Sequence, residues 1–160
     1  LLLAGYEEPE SEEILDMHEL ELFHGLQQDA IDALSAIVEP RQLNAGERIF
    51  AQGETGDELY LIRRGLIDAY LPLPGKKSHL IATFGAGDYV GEMSFLDRMK
   101  RSADAQARGP AALFVLSRKR FNDFAHSHPD VAAKLFSRLA LLVSTHLRTA
   151  NSELSALQER

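Results

Sequence analysis

The chain has 160 residues, 45% of them apolar and 26% charged, with a net charge of −7 and no cysteine. That length suits one domain with its own core, the composition excludes a disordered chain, and the absence of cysteine excludes disulfides and thiolate metal sites while remaining compatible with a reducing compartment. Residues 1–40 carry eleven acidic side chains and no Lys or Arg, leaving 13 acidic and 17 basic groups beyond them; an acidic arm before a mildly basic body excludes a general nucleic-acid binder but leaves room for a small anion.

In chain order, the opening Leu1-Leu2-Leu3-Ala4-Gly5 has no basic flank and is too short for a secretory signal, so it reads as the cut end of something longer. The acidic run over residues 6–13 reads as a solvated linker, so residues 1–13 are expected to precede a domain over 14–160. Apolar residues recur loosely from Ile14 to Phe23. From Leu26 onward Ala30, Ile31, Leu34, Ile37 and Val38 keep a 3.6-residue period. Two short helices are expected there, the second closed by Pro40.

Between Arg41 and Leu116 nine glycines, at 46, 53, 56, 65, 75, 85, 87, 91 and 109, punctuate short apolar runs, the pattern of an all-β sandwich or barrel. The predicted strands are Glu47–Ala51, Glu58–Arg64, Leu66–Leu71, His79–Phe84 and Ala111–Leu116, with a turn at Pro72-Leu73-Pro74-Gly75. A short helix begins over Arg118–Ala125 and must stop before Pro129. From Asp130 a long amphipathic helix follows, in which Phe136, Ala140, Val143, Leu147, Ala150, Leu154 and Leu157 form a heptad seam. Its first half could cover the domain's own barrel and its second half a partner. The expected fold class is α+β: an antiparallel jelly-roll-like β-barrel over about 41–117, N-terminal helices, and C-terminal helices over 118–158.

Chemistry concentrates in Phe84-Gly85-Ala86-Gly87-Asp88-Tyr89-Val90-Gly91-Glu92-Met93-Ser94-Phe95-Leu96 and in Arg101-Ser102-Ala103. Glycines let backbone amides approach a ligand and make anion-binding concavities. Arg101 adds a planar fork matched to phosphate oxygens and Ser102 a hydroxyl donor, while an ionised Glu92 only accepts, which suits a sugar hydroxyl. The plainer reading is a Gly-rich hairpin in which Glu92 and Arg101 pair with each other.

The run from about Leu22 to Leu154 resembles the cyclic-nucleotide-binding family, in the manner of catabolite activator protein and kinase regulatory subunits. The resemblance rests on Leu22-Phe23-His24-Gly25-Leu26, on Gly46-Glu47-Arg48-Ile49-Phe50, Gly53, Gly56-Asp57, Leu59-Tyr60-Leu61-Ile62 and Gly65, and on the Gly85–Ala103 cassette. It implies that Gly91 brings backbone to the sugar, with Met93 beside it, and that Glu92 accepts from the ribose 2′-OH. Arg101, Ser102 and the Ala103 amide would cradle the cyclic phosphate, and helix residues near Leu142, Thr145 and His146 would meet the base. His146 could hydrogen-bond a purine edge or simply occupy a helix surface. The ligand implied is cAMP or cGMP, cAMP favoured, with no metal. Two departures stand out: Lys100 replaces a frequent proline, and Asp104 stands where an apolar residue or Thr is usual, so its strand should be an edge or its carboxylate should need a partner.

No catalytic residue is expected, since Ser35, Ser78, Ser94 and Ser117 lie in no nucleophile-elbow pattern, and His126 with His128 makes a poor metal site. The function implied is sensing, relayed by the C-terminal helix. The partners expected are an upstream domain of a larger cytoplasmic protein or the cytoplasmic tail of a membrane protein, such as a sulfate-type anion permease, and a homodimer through Val143, Leu147, Ala150, Leu154 and Leu157. Neither nucleic acid nor membrane is expected to touch this segment directly. The rival is a degenerate barrel that binds no nucleotide and serves as a dimerisation module.

Overall fold

The computed structural model describes residues 13–159, so the linker read over residues 1–13 lies outside the described residues except for Glu13. Eight strands among these residues form two antiparallel sheets. In the first the order is β1 (Glu39–Leu43), β8 (Ala111–Leu116), β3 (Leu59–Arg64), β6 (Tyr89–Val90). In the second it is β2 (Arg48–Phe50), β7 (Asp104–Ala107), β4 (Ile67–Leu71), β5 (His79–Phe84). The jelly-roll-like arrangement is therefore a pair of sheets rather than a closed barrel.

The run Leu59-Tyr60-Leu61-Ile62 shows how the sequence builds these layers. All four side chains are buried, and the two-residue period of a strand sends them alternately to opposite faces. Tyr60 and Ile62 join Ile67, Ala105 and Leu113 between the sheets. Leu59 and Leu61 join Phe23, Leu34, Phe121 and Leu139 beneath the helices. A strand covered on both sides reads as a continuous apolar run, and each fully buried Leu or Phe contributes about 1.5–3 kcal/mol.

The outer face of the second sheet is open, with Leu80 and Ile81 of β5 exposed. Asp68 of β4 is nevertheless buried there, and Arg108 donates to its two oxygens at 3.0 and 2.8 Å while Thr83 donates at 2.8 Å. Burial pushes the Asp68 carboxyl up, but these donors outweigh it and hold it below the usual carboxylate range. The β4–β5 hairpin closes one residue later than the predicted turn, the Lys76 amide donating to the Leu73 carbonyl at 3.2 Å.

The N-terminal segment is shorter in helix than expected. It holds two 3-10 turns, Met17–Glu19 and Glu21–Phe23, then α1 (Gln28–Ser35). Pro40 does not close that helix; it lies inside β1 opposite Phe114, on the edge of the first sheet, where a residue without an N–H is tolerated. Three further helices follow: α2 (Glu92–Asp97), α3 (Arg118–Ser127) and α4 (Pro129–Gln158). Ser117 caps α3, its hydroxyl accepting from the Arg120 amide at 3.1 Å, and Pro129 opens α4 where its missing N–H costs nothing.

Over its first half α4 buries Ala132, Leu135, Leu139 and Leu142, with Phe136 and Val143 flanking them, whereas Ala140 is exposed. The face turned to the core is thus rotated from the heptad seam. Beyond Val143 every described residue is exposed, including Leu147, Ala150, Leu154 and Leu157. No described helix is long and apolar enough to cross a membrane.

Candidate functional site

The loop from β6 into α2 is shaped by Gly91, which adopts φ 83°. A Cβ there would stand 2.8 Å from Nη1 of Arg101 and 2.9 Å from the Glu58 carbonyl oxygen, so only glycine lets the chain turn into α2 against the arginine. Arg101 itself is 3% exposed. Its Nη1 donates to the Gly91 carbonyl and its Nη2 to the Glu58 carbonyl, each at 3.1 Å. The guanidinium carbon lies 4.4 Å from the centre of the Phe50 ring and 5.8 Å from that of Tyr60. The main chain is pinned as well, the Arg101 amide donating to the Glu54 carbonyl at 2.9 Å and the Gly53 amide to the Arg101 carbonyl at 2.8 Å.

Two neutral carbonyls and two aromatic faces orient this cation without cancelling its charge. Arg101 forms no ion pair among the described residues, so the plainer reading, a hairpin closed by Glu92 and Arg101, does not describe the site. A buried guanidinium without a carboxylate favours an incoming anion, because the arriving charge meets a donor already desolvated and held in place.

Glu92 opens α2 and is partly buried. Burial raises its carboxyl above the usual carboxylate range, against the opposing pull of a backbone hydrogen bond at Glu92 and of the neighbouring His146 and Arg101. Met93 is exposed, and the Ser102 hydroxyl meets its sulfur at 3.7 Å; Ala103 is buried and leads into β7. His146, on α4, stacks on Tyr89 with ring centres 5.5 Å apart, Nδ1 lying 3.4 Å from the Tyr89 hydroxyl. Gly91, Glu92, Met93, Arg101, Ser102, Ala103 and His146 are therefore gathered in one region. Leu142 is buried in the helix-covered core, and Thr145 is exposed with its hydroxyl turned back to the Leu141 carbonyl at 3.0 Å.

The two departures resolve differently. β7 is not an edge strand, since it pairs with both β2 and β4. The Asp104 carboxylate does have a partner: it accepts from the Gln52 amide at 2.7 Å, and Arg48 lies 4.0 Å away. Lys100 is exposed.

The sequence reading missed Phe50, Tyr60 and the Glu58 carbonyl as the support of Arg101, Tyr89 as the ring under His146, and Arg118. Arg118 donates to the Phe95 carbonyl of α2 at 2.6 Å, and its guanidinium lies 5.3 Å from the Phe95 ring and 5.0 Å from the Phe136 ring of α4. It thereby joins the helix that carries Glu92 to the helix that carries His146. Tyr89 alone had a local signal, an aromatic residue two places before Gly91.

Comparison with known proteins gives one family. The sequence model described as the cyclic nucleotide-binding domain matches residues 40–128. The chain is 35% identical over 136 residues to the cyclic AMP receptor protein of Thermus thermophilus, covering 85% of this chain and 61% of that protein. It is 30% identical over 145 residues to glutaminase 2 of Bradyrhizobium diazoefficiens, covering 91% of this chain and 22% of that one. It thus spans less than two thirds of either relative. Among solved structures, a cyclic nucleotide-binding domain from Methylobacillus flagellatus superposes with a TM-score of 0.79 at 27% identity, covering 88% of this chain and 79% of the other.

Proposed function

Because the chain belongs to the cyclic nucleotide-binding domain family, we propose that it is a sensor whose ligand is a cyclic purine nucleotide, with its phosphate on Arg101. The observation that carries this reading is the buried Arg101, oriented by backbone carbonyls and lacking a carboxylate partner. The Ser102 hydroxyl and the Ala103 amide complete the cradle, and the Ser102 contact to Met93 is weak enough to be exchanged for a phosphate oxygen. Glu92 accepts from the ribose 2′-OH and does no catalysis. The Tyr89–His146 pair stands at the base. cAMP is favoured over cGMP, a preference supported by the name of the Thermus relative.

Binding is relayed through α4. Contraction around the phosphate moves α2, Arg118 carries the shift from Phe95 to Phe136, and α4 tilts on the Tyr89–His146 pair, which meets the purine. A ligand biases α4 only by the difference in its affinity for the two helix positions. The chain acts as the regulatory part of a larger protein. A sulfate-type anion permease is one such parent. The stripe from Leu147 to Leu157 pairs with a second copy or a parent surface, which the exposure of its leucines supports.

Parallel calorimetric titrations with cAMP and cGMP test the reading. Heat with cAMP, lost in Arg101→Ala, is the expected result. If neither nucleotide gives heat at millimolar concentration, the sensor reading fails and the dimerisation module takes its place.

A further inference from the structure

A second site lies away from the cassette, between the N-terminal turns and the first turns of α4. There a cleft of about 550 Å3 is floored by Leu22, Leu26, Val131 and Leu135. Its rim carries His24, His128, Lys134 and Arg138, with Asp29 its one carboxylate. Lys134 and Arg138 are one turn apart on α4 and share a face. Arg138 is anchored by Nε, which donates to the Glu21 carbonyl at 3.3 Å. His128 is fixed by stacking on Phe124, ring centres 4.5 Å apart and 8° from parallel. Asp29 is engaged, its Oδ1 accepting from the Ala30 amide at 2.9 Å. Neither Lys134 nor Arg138 is paired with a carboxylate among the described residues.

We infer that this cleft binds a small amphiphilic anion, with an apolar body on Leu22, Leu26, Val131 and Leu135 and a sulfonate, carboxylate or phosphate head between Lys134 and Arg138. The volume falls within the roughly 300–1,000 Å3 of small-molecule pockets, and an apolar floor with a few converging polar groups is their usual lining. A purely polar anion would leave the part-exposed side chains of Leu26 and Val131 in water. A neutral apolar molecule would leave Lys134 and Arg138 without a counter-charge. The occupant lies against both the N-terminal segment and α4, so it holds the start of the long helix in place independently of any nucleotide.

The probe is 8-anilinonaphthalene-1-sulfonate, one fixed negative charge on an apolar body, followed by fluorescence on the whole chain. Saturable binding of one probe per chain is expected, displaced by octane-1-sulfonate and not by 1-octanol. Lys134 is exposed, so Lys134→Glu keeps the fold, checked by its melting curve, and should weaken binding about tenfold, the scale of one charge-assisted contact. Lys134→Arg should retain it. Arg101→Ala and Leu157→Ala should leave it unchanged. The inference is overturned by no saturable binding, by equal affinity in Lys134→Glu, by displacement with octanol as effective as with the sulfonate, or by loss in Arg101→Ala or Leu157→Ala, which would put the probe in the cassette or on the distal stripe.

Discussion

Arg101 and Glu92 make opposite demands on the protein. Under the proposed function Arg101→Ala should weaken cAMP binding by about 1.5–3 kcal/mol, the size of a hydrogen bond to a charged group, and Arg101→Lys should recover only part of it because a point charge replaces a fork. Calorimetry of both variants checks this, and full affinity in the lysine variant would remove Arg101 from the phosphate. Glu92 is held above the usual carboxylate range chiefly by burial, so the folded chain binds its proton more tightly than the unfolded chain does. Its contribution to stability is present below the unfolded value, near pH 4.3, and is lost as pH rises through the raised value. Glu92→Gln, neutral throughout, should therefore melt higher than wild type at pH 7 without nucleotide, and the advantage should shrink as pH falls toward about 4. A gap that widens in acid would contradict the assignment. Glu92→Ala, which removes the acceptor altogether, should discriminate poorly between a nucleotide and its 2′-deoxy analogue.

Among the elements, α3 ties the helical layer together. Phe121, 2% exposed, packs edge-on against Phe95 of α2 at 5.6 Å and Phe136 of α4 at 5.0 Å. Phe121→Ala should cost about 3–5 kcal/mol in urea unfolding, whereas an exposed change such as Lys119→Ala should cost little. What the sequence disclosed about elements follows from how local their causes are. β5 and β8 were readable residue for residue because turns bound apolar runs. β1 was missed because Pro40 signals an end when taken alone, and only its edge position, set by a partner about 75 residues away, makes it tolerable. β7 was not among the strands read from apolar runs and was expected only through the family resemblance at Asp104, because Asp-Ala-Gln-Ala carries no β-branched or aromatic residue; pairing on both sides imposes its strand. Gly91, Glu92 and Arg101 were named as a cassette through the family resemblance, their glycine, carboxylate and arginine chemistry alone leaving a plain hairpin open. The cassette's support was not legible, since Phe50 and Tyr60 meet Arg101 only once the two sheets face each other.

At the scale of the whole molecule, the apolar stripe from Leu147 to Leu157 is the feature the fold leaves unsatisfied. Leu147, Leu154 and Leu157 are each about 60% exposed, against 2% for Leu139 on the same helix. Sedimentation should show concentration-dependent dimers that Leu154→Glu abolishes while cAMP affinity stays nearly unchanged, since the substitution lies two turns beyond His146. Monomers at every concentration for both proteins would leave the stripe with no role in self-association.

The geometry of α4 also sets a mechanical gain. The helix touches the sheets as far as the His146–Tyr89 stack and then projects from Leu147 to Gln158 for about 18 Å at 1.5 Å per residue. A tilt of about 10° about that last contact would carry the far end through about 3 Å, more than half the rise of one helical turn. Displacements of a few tenths of an ångström around a phosphate would thus be enlarged at the tip, where a facing partner would find its leucines out of step. Under the proposed function the ring stack would be the fulcrum, and lengthening or shortening the projecting arm would change the size of the output without altering what is sensed.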